Sequence, residues 1–390
     1  MKMQVRDRTS SKLQYSMRLL IVTQKIDEQD AVLGFMHGWV AEFARQAESV
    51  SVICLEKGEV NLPENARVFS LGKEKTELGI RNYELWKKIK YAWRFVRYIV
   101  QTRKEYDTVF VHMNPEYILL GVIFWKWWGK TVTLWYAHKS VTWHLRLALH
   151  FVDVVFTSTK SGFRLLSTKV KVIGQGIDTE RFMIHDSRFM IQGGAFKIVT
   201  VGRITPSKDY DTLIDAVIIV RTNSNLKIHV DIVGPTSVES DEVYLKSLKE
   251  KITQKGIGDA VTFLGPVANS KLPEALAGYS LFVNMGHTGS LDKAVPEAMA
   301  MGLPVLTCNE AFKEVLGPFR GDLMYAKSNA EALGGKILRL AALSENERRI
   351  LGGELRAIVV REHSLKSFVS KILSSIQYEL PARQSQSNGQ

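Results

Sequence analysis

The stretch that decides the fold is IVTVGRITPSK, residues 198–208. Its first four residues form an apolar run that predicts a buried parallel strand. Gly202, Arg203 and Lys208 then fall in the loop at the carboxyl end of that strand, where parallel sheets hold their ligands. Because a guanidinium can bind two oxygens at once and an ammonium adds a compact charge, Arg203 and Lys208 suit a diphosphate.

A second stretch, PEAMAMGLPV at residues 296–305, complements the first. Pro296 predicts the opening of a helix, with Glu297 inside the first turn, and helix openings bind anions well. Each stretch alone has an ordinary explanation: a solvated basic loop for Arg203 and Lys208, and a favourable dipole contact for Glu297. In combination they predict a pocket for a nucleoside diphosphate, because cations can meet the phosphates while a carboxylate accepts from ribose hydroxyls.

The rest of the chain alternates strand and helix patterns, which predicts an α/β fold of parallel sheets with helices on both faces. In the first half, strands are expected near 17–23, 50–55, 66–70, 108–112, 131–136 and 153–157, and helices at 34–47, 83–104, 115–128 and 141–150. In the second half, strands are expected near 197–202, 227–233, 261–264, 280–284 and 304–307, and helices at 208–222, 240–256, 270–277, 296–302, 328–343, 344–360 and 364–376. A chain of 390 residues exceeds what one hydrophobic core usually serves, so two domains are expected.

These patterns resemble the retaining glycosyltransferases of the large group 1 family (family 4). The resemblance is carried by VGR at 201–203 with Lys208, GP at 234–235, VTFLG at 261–265 with Val267, and EAMAMGLPV at 297–305. It covers residues 196–310 strongly and 17–190 more loosely. It implies the GT-B fold, two Rossmann-like doubly wound domains that face each other across a cleft.

The resemblance also implies a division of the chain. We expect a disordered extension at 1–16, an amino-terminal acceptor-side domain at 17–190, a polar linker about 184–195, and a nucleotide-sugar-binding domain at 191–363. A final helix, 364–380, would cross back to the first domain. The tail at 381–390 is expected to be disordered.

The roles that the resemblance implies can be assigned to individual residues. Arg203 and Lys208 hold the donor diphosphate and stabilise the charge that grows on it as the sugar leaves. Glu297 accepts hydrogen bonds from the ribose, and the backbone around Val267 faces the base.

Two residues of the first half receive roles in the same way. His138, after the strand at 131–136, reaches the donor sugar across the cleft, and its alternative is a structural histidine with a satisfied ring. The loop at Gly34 faces the donor phosphate, although a single glycine before a helix is also common in unrelated structures.

One departure from the family concerns the loop HTGSLDKAV at 287–295. The family commonly has a second glutamate where this chain has Gly289, so a contact to the sugar ring is missing. Gly289 and Ser290 would let the backbone approach the sugar, Asp292 could accept from a hydroxyl, and Lys293 adds charge. The alternative is a turn capped by Asp292.

Composition restricts the other ligands. The chain contains two cysteines, Cys54 and Cys308, each in an apolar strand-like run, so a reducing cytoplasm is favoured over a disulfide framework. No zinc-site spacing is present, and the family's reaction needs no metal when basic side chains neutralise the diphosphate. We therefore expect no cofactor, and a UDP-, GDP- or ADP-linked sugar as the donor substrate.

The charge is concentrated in the first half. The net charge is +12, and residues 1–190 hold 29 Lys and Arg against 19 Asp and Glu. Within that half, 83–104 is a basic amphipathic segment that fits an anionic membrane surface, or equally a helix packed on the sheet with a solvated basic face. The apolar stretch 117–136 is interrupted by charges and glycine, which predicts a helix, a turn and a strand instead of a membrane span. Nucleic-acid binding lacks any recognised module.

The sequence thus predicts a retaining glycosyltransferase, cytoplasmic and peripheral at the inner membrane face, acting in cell-surface polysaccharide or glycolipid synthesis. It would move a hexose-type sugar to a glycan or a lipid-linked saccharide. Since no carboxylate nucleophile stands in the motifs, front-face attack is favoured. The alternatives are a sugar-nucleotide epimerase of the same fold and a nucleotide-sugar-binding module without turnover, the latter motivated by Gly289.

Overall fold

The computed structural model describes residues 15–75, 84–183, 194–286 and 289–387, apart from the side chain of Glu84 and those beyond Tyr378. The expected extension at 1–16 and the expected linker therefore lie almost wholly outside the described residues. Tyr15 already belongs to the first strand.

The amino-terminal domain is a parallel sheet with helices on both faces, as the alternating pattern predicts. Its strands are β1 (Tyr15–Ile26), β2 (Ala47–Lys57), β3 (Ala66–Ser70), β4 (Thr108–His112), β5 (Thr131–Trp135), β6 (Val154–Thr157) and β7 (Val170–Val172). Its helices are α1 (Phe35–Gln46), α2 (Glu84–Gln101), α3 (Pro115–Trp127) and α4 (Trp143–Phe151). The strand order is β3-β2-β1-β4-β5-β6-β7, so the order reverses direction at β1 and β4, where such sheets bind ligands.

The carboxy-terminal domain repeats the design. Its strands are β8 (Phe196–Val201), β9 (Ile228–Val233), β10 (Val261–Gly265), β11 (Leu281–Asn284) and β12 (Val305–Thr307), in the order β10-β9-β8-β11-β12. Its helices are α5 (Tyr210–Asn223), α6 (Glu239–Gln254), α7 (Leu272–Leu276), α8 (Ala294–Ala300), α9 (Phe312–Leu316), α10 (Arg320–Leu323), α11 (Ala330–Ala342) and α12 (Glu345–His363), followed by α13 (Leu365–Ser387). The reversal of strand order lies between β8 and β11, next to the loop that carries Arg203.

Helix α13 leaves its own domain and packs on the amino-terminal sheet. Its apolar residues share one buried cluster with α1 and the sheet face beneath it. The ring of Phe368 lies 4.3 Å from the Trp39 ring and 5.0 Å from the Trp135 ring, centroid to centroid. The other sheet face is covered by α2, α3 and α4, whose inner residues form a second cluster.

Three local expectations need correction. Helix α13 runs to Ser387, although a disordered tail was expected from 381. Pro381 is unfavourable inside a helix, but the Ala, Arg and Gln residues that follow it are good helix formers. Helix α8 begins at Ala294, two residues before Pro296, which still lies in the first turn where its missing N–H has no partner to lose. Strand β7 is only three residues long and was not expected from the sequence.

The loops after β8 and β9 approach each other closely at two glycines. The N–H of Gly202 donates to the carbonyl of Val233 at 2.9 Å, and a Cβ on Gly234 would overlap the carbonyl oxygen of Gly202. Gly234 also has φ +153°, a conformation that other residues rarely adopt. The ligand loop of β8 is therefore shaped by the absence of a side chain at Gly234.

We expect Gly234→Ala to destabilise the protein by at least about 2 kcal/mol more than Gly256→Ala. Gly256 has φ +62°, and a Cβ there meets no described atom within 4 Å. The control Gly256→Ala therefore has the strain of alanine at a positive φ but no steric overlap. Urea unfolding of both variants measures the difference. Equal free energies of unfolding would show that the loop yields to the new methyl group.

His363 is the last residue of α12, just before the chain crosses back to the amino-terminal domain. Its backbone carbonyl accepts from the N–H of Ile177 at 2.7 Å, while its ring is buried and neither ring nitrogen has a hydrogen-bond partner among the described residues. Burial lowers the pKa of His363 to about 4. The folded protein therefore keeps this ring neutral at a pH at which the unfolded chain protonates it.

Because the pKa of His363 is depressed in the folded state, the free energy of unfolding should fall as the pH drops from about 6.5 towards about 4. His363→Phe keeps a ring in place without a titrating group, and should lose about 3 kcal/mol less over this interval than the parent protein. Unfolding curves measured at several pH values test this. Parallel pH profiles for the two proteins would contradict it.

Candidate active site

A cavity of about 190 Å³ lies between the two domains. On the carboxy-terminal side it is bounded by the loops after β8, β9 and β10 and by the opening of α8. On the amino-terminal side it is bounded by the segment that joins β1 to α1. Its lining residues are Ala31, Val32, Phe35, Val201, Gly202, Arg203, Lys208, Val233, Gly234, Pro235, Val267, Asn269, Leu272, Asp292, Lys293, Ala294 and Glu297.

Six of the ten residues singled out in the sequence meet in this cavity. They are Arg203, Lys208, Val267, Asp292, Lys293 and Glu297. The other four, Gly34, His138, Gly289 and Ser290, lie outside its lining. The two cations of the first stretch and the carboxylate of the second therefore face a common space.

Lys208 is held by a carboxylate. It ends a short 3-10 turn, Pro206–Lys208, and its ammonium forms an ion pair with Asp292. Asp292 also accepts from Asn284 Nδ2 at 3.0 Å, and Asn284 Oδ1 accepts from Thr307 Oγ1 at 2.9 Å. A chain of hydrogen bonds from two strand ends thus orients the lysine towards the cavity.

The loop that carries Arg203 is tied to the helix that follows it. Tyr210, the first residue of α5, donates from its hydroxyl to the carbonyl of Gly202 at 2.9 Å. The phenol is buried, and burial raises the pKa of Tyr210, so it stays a hydrogen-bond donor. Arg203 itself is exposed at the mouth of the cavity.

Lys293 and Glu297 form a coupled pair one helical turn apart. Glu297 N–H donates to the carbonyl of Lys293 at 3.1 Å, which places both side chains on one side of α8. Glu297 is 4% exposed, and burial raises its pKa, while burial lowers the pKa of Lys293. Each charge opposes the shift of the other, so the two groups stabilise one another in the ionised form.

The ammonium of Lys293 reaches into the other domain. Its Nζ donates to the carbonyl of Gly176 at 3.1 Å and lies 4.0 Å from the ring centroid of Phe35 and 4.8 Å from that of Trp39. Such contacts with aromatic faces stabilise a desolvated cation. Lys293, which was expected to add charge to the sugar pocket, lines the cavity and also joins the two domains.

Two residues at the domain contact were missed in the sequence. Arg181 donates from Nη2 to Asn269 Oδ1 at 2.8 Å. A Cβ on Gly34 would lie 2.6 Å from Cβ of Asn269, so Gly34 makes room for the opposite domain instead of lining the cavity. Arg181 lies just before the linker expected at 184–195, and Asn269 lies two residues after Val267. Their positions beside these segments were the signals that the sequence offered.

His138 lies in the loop after β5, near the carboxyl edge of the amino-terminal sheet. Its Nδ1 accepts from the N–H of Ser140 at 3.1 Å, and partial burial lowers its pKa. A neutral ring that accepts at Nδ1 carries its proton on Nε2, which makes Nε2 a donor. The Nε2 atom of His138 can therefore donate a hydrogen bond to a hydroxyl group.

The glycine that departs from the family pattern lies beside an ion pair between the domains. Gly289 has φ +72°, and a Cβ there would lie 3.4 Å from both Arg164 Nη2 and Glu310 Oε1, which are 3.6 Å apart. Ser290 accepts from Asn309 Nδ2 through its carbonyl at 2.8 Å. His287 and Thr288, the first residues of the loop, lie outside the described residues.

Comparisons with known proteins agree with this geometry. Residues 195–342 match the family model described as glycosyl transferases group 1. The chain is 31% identical over 194 residues to the mannosylfructose-phosphate synthase of Agrobacterium fabrum, a match that covers 46% of this chain and 42% of that protein. The match thus spans less than half the length of this curated relative.

Solved structures resemble the whole described chain. HepE of Anabaena in complex with UDP superposes with a TM-score of 0.72 at 17% identity, over 93% of this chain and 100% of that one. Sucrose-phosphate synthase of Thermosynechococcus elongatus superposes with a TM-score of 0.74 at 15% identity, over 94% and 100% of the two chains. At these identities the likeness establishes the fold, two Rossmann-like domains facing across a cleft. The chain therefore has the GT-B fold, and residues 195–342 of its carboxy-terminal domain are similar to the group 1 glycosyltransferases.

Proposed function

We propose that this protein is a retaining glycosyltransferase that moves a hexose-type sugar from a nucleoside diphosphate to a glycan or a lipid-linked saccharide. The observation that carries the proposal is the shared cavity of Arg203, Lys208 and Glu297 between the domains. Ligand sites occur preferentially between domains, and a cleft of this kind can enclose both a donor and an acceptor.

The donor diphosphate would lie between Arg203 and Lys208. Negative charge grows on the phosphate oxygens as the bond to the sugar breaks, and two fixed cations stabilise that charge without reorganising. The ion pair with Asp292 keeps Lys208 in place before the donor arrives. Glu297 would accept from the ribose hydroxyls, the backbone at Val267 would face the base, and Nε2 of His138 would donate to a sugar hydroxyl.

The same arrangement supports the proposal of retention and metal independence. The described lining contains two carboxylates: Asp292 forms an ion pair with Lys208, and the charge of Lys293 favours the ionised form of Glu297. We therefore infer front-face attack, in which the departing phosphate takes the proton of the acceptor hydroxyl as the new glycosidic bond forms. Arg203 and Lys208 would neutralise the diphosphate, which is the role that a divalent cation has in other transferases.

The proposed donor is UDP-linked, with GDP- and ADP-linked sugars as alternatives. HepE, which shares the fold, has been solved with UDP and with UDP-glucose. The proposed location is cytoplasmic and peripheral at the inner membrane face, in cell-surface polysaccharide or glycolipid synthesis. Among the described residues, no helix combines the length and apolarity that a membrane span requires.

Incubation with UDP-, GDP- and ADP-glucose should show transfer, or slow hydrolysis, with one of them, and Lys208→Ala should lower kcat/KM at least about 100-fold. Lys246→Ala, on the exposed face of α6, is the matched control and should retain full activity. Undiminished turnover by Lys208→Ala would refute the proposed role. Addition of EDTA tests metal independence, and the anomeric configuration of the product by NMR tests retention.

The same donor panel separates the alternative functions. Binding of a sugar nucleotide without turnover would identify a binding module, which Gly289 makes a reasonable alternative. Formation of an isomeric sugar nucleotide would identify an epimerase.

We expect Lys293→Met to weaken UDP binding roughly tenfold at neutral pH. Methionine preserves the packing on Phe35 and Trp39 but removes the positive charge that most favours the ionised form of Glu297. The pKa of that carboxyl should therefore rise further, and the ribose would lose an ionised acceptor. Binding should recover as the pH is raised above the pKa of Glu297. Calorimetric titration with UDP at several pH values measures both effects.

Two variants serve as controls for Lys293→Met. Glu297→Gln cannot ionise, so it should bind UDP weakly at every pH. Lys246→Met should bind as the parent protein does. A Lys293→Met protein with unchanged affinity across the pH range would show that the two side chains act independently.

A further inference from the structure

Helix α2 is apolar on two opposite sides. One side is buried on the sheet through Phe95 and Ile99. The other side faces solvent and carries Trp86, Ile89 and Trp93, with Trp86 66% and Trp93 62% exposed. These three residues follow the i, i+3, i+7 spacing of one helical stripe. Packing on the sheet therefore accounts for only one of the two apolar sides.

Helix α3 repeats this arrangement. Ile118, Val122 and Trp125 point into the core, whereas Ile123 and Trp127 point outwards, and Trp127 is 82% exposed. A tryptophan exposed to this extent contributes nothing to the folding of its own domain, because its surface stays in water.

Helix α4 completes the surface. Leu145 and Ala148 are buried, while Trp143, Leu147 and Phe151 are exposed at i, i+4, i+8 spacing, with Trp143 65% exposed. Four of the eight tryptophans of the chain, one or two from each helix, are thus directed away from the core.

The three stripes belong to one continuous face. Helix α3 packs between α2 and α4, and the inner residues of all three share one buried cluster with the same side of the sheet. Their outer sides therefore point the same way. Contiguous apolar surfaces of this kind are uncommon on monomeric proteins and mark interaction sites.

The charges on this face select the partner. Exposed cations flank the tryptophans at Lys88, Lys90, Arg97 and Arg146, and the guanidinium of Arg97 lies 5.6 Å from the Trp93 ring centroid. The three helices contain seven Lys and Arg against two acidic residues. Tryptophan and cations together match the boundary between headgroups and acyl chains of an anionic bilayer, whereas an ordinary protein interface is depleted of lysine.

We propose that the outer face of α2, α3 and α4 docks on an anionic lipid bilayer. The exposed tryptophans would enter the headgroup region, and the flanking cations would bind lipid phosphates or other anionic headgroups. Each aromatic ring would bury apolar surface, and each cation would be attracted to the negative surface of the membrane.

The docked orientation has a consequence for the cleft, which rests on the proposed function. Helices α3 and α4 begin at the carboxyl edge of the sheet, and Trp143 follows closely after His138 in the same connection. The acceptor side of the cleft therefore lies beside the docking face. An acceptor carried on a lipid could reach His138 without leaving the bilayer surface.

Sedimentation with vesicles tests the docking directly. The full chain should co-sediment with vesicles of phosphatidylcholine mixed with phosphatidylglycerol, and much less with phosphatidylcholine alone. Added salt should weaken the binding, because exposed charges are screened. Absence of the protein from both pellets, or equal binding to both vesicle types, would overturn the proposal.

Paired substitutions locate the binding face. Trp93→Ser with Trp127→Ser should weaken vesicle binding at least about tenfold, and Lys88→Glu with Lys90→Glu should remove the preference for anionic lipid. Val243→Ser with Ile350→Ser, at exposed positions of the other domain, is the matched control and should bind as the parent protein does. Unchanged binding by the tryptophan pair would assign the interaction to another surface.

Two further measurements keep the outcomes distinct. Light scattering measures whether the protein is a dimer. If the parent protein is a dimer that does not bind vesicles, and the variant Trp93→Ser with Trp127→Ser is a monomer, the face joins two copies of the chain and the proposal is wrong. Titration of UDP into the same variants tests the cleft separately. Vesicle binding without UDP binding would refute the proposed function and support the docking face. UDP binding without vesicle binding would support the proposed function and refute the docking face.

Discussion

The return of α13 to the amino-terminal sheet is the contact on which the site depends. At the crossing, Ile177 and Ser364 form a bridge between two passes of the chain, and just beyond it Phe368 packs against Trp39 and Trp135. The cavity takes its walls from both domains, so its width is set by this packing. Close packing of these aromatic rings resists small displacements of α13. It therefore fixes the position of one sheet edge relative to the other.

Inside the cavity, every buried charge has an opposite charge nearby. Lys208 has Asp292, and Glu297 has Lys293, which in turn lies against the rings of the other domain. A buried charge without such a partner would cost several kcal/mol. The charged groups can therefore remain ionised in a partly desolvated cleft, and the same pairings tie the ligand loops to the domain contact.

Much of this could be predicted from sequence, because periodic apolar patterns and loop residues after strands are local signals. The two parallel sheets and the meeting of Arg203, Lys208 and Glu297 follow from such signals. The orientation of Lys293 could not be predicted, because its partners Phe35 and Trp39 are distant in sequence and lie in the other domain. The length of α13 was missed for a different reason: the polar run that starts at Pro381 has the composition of a disordered tail, and proline is disfavoured inside a helix.

The carboxylate beside Lys208 also bears on which anions the cleft can retain. Any incoming anion has to compete with Asp292, which is permanently present at an effective concentration that no free solute reaches. Orthophosphate or sulfate has only one charged group with which to compete against Asp292 for Lys208. A nucleoside diphosphate bound as proposed would engage Arg203, Glu297 and the backbone at Val267 together. An internal competitor that is covalently part of the chain would therefore discriminate against abundant small anions.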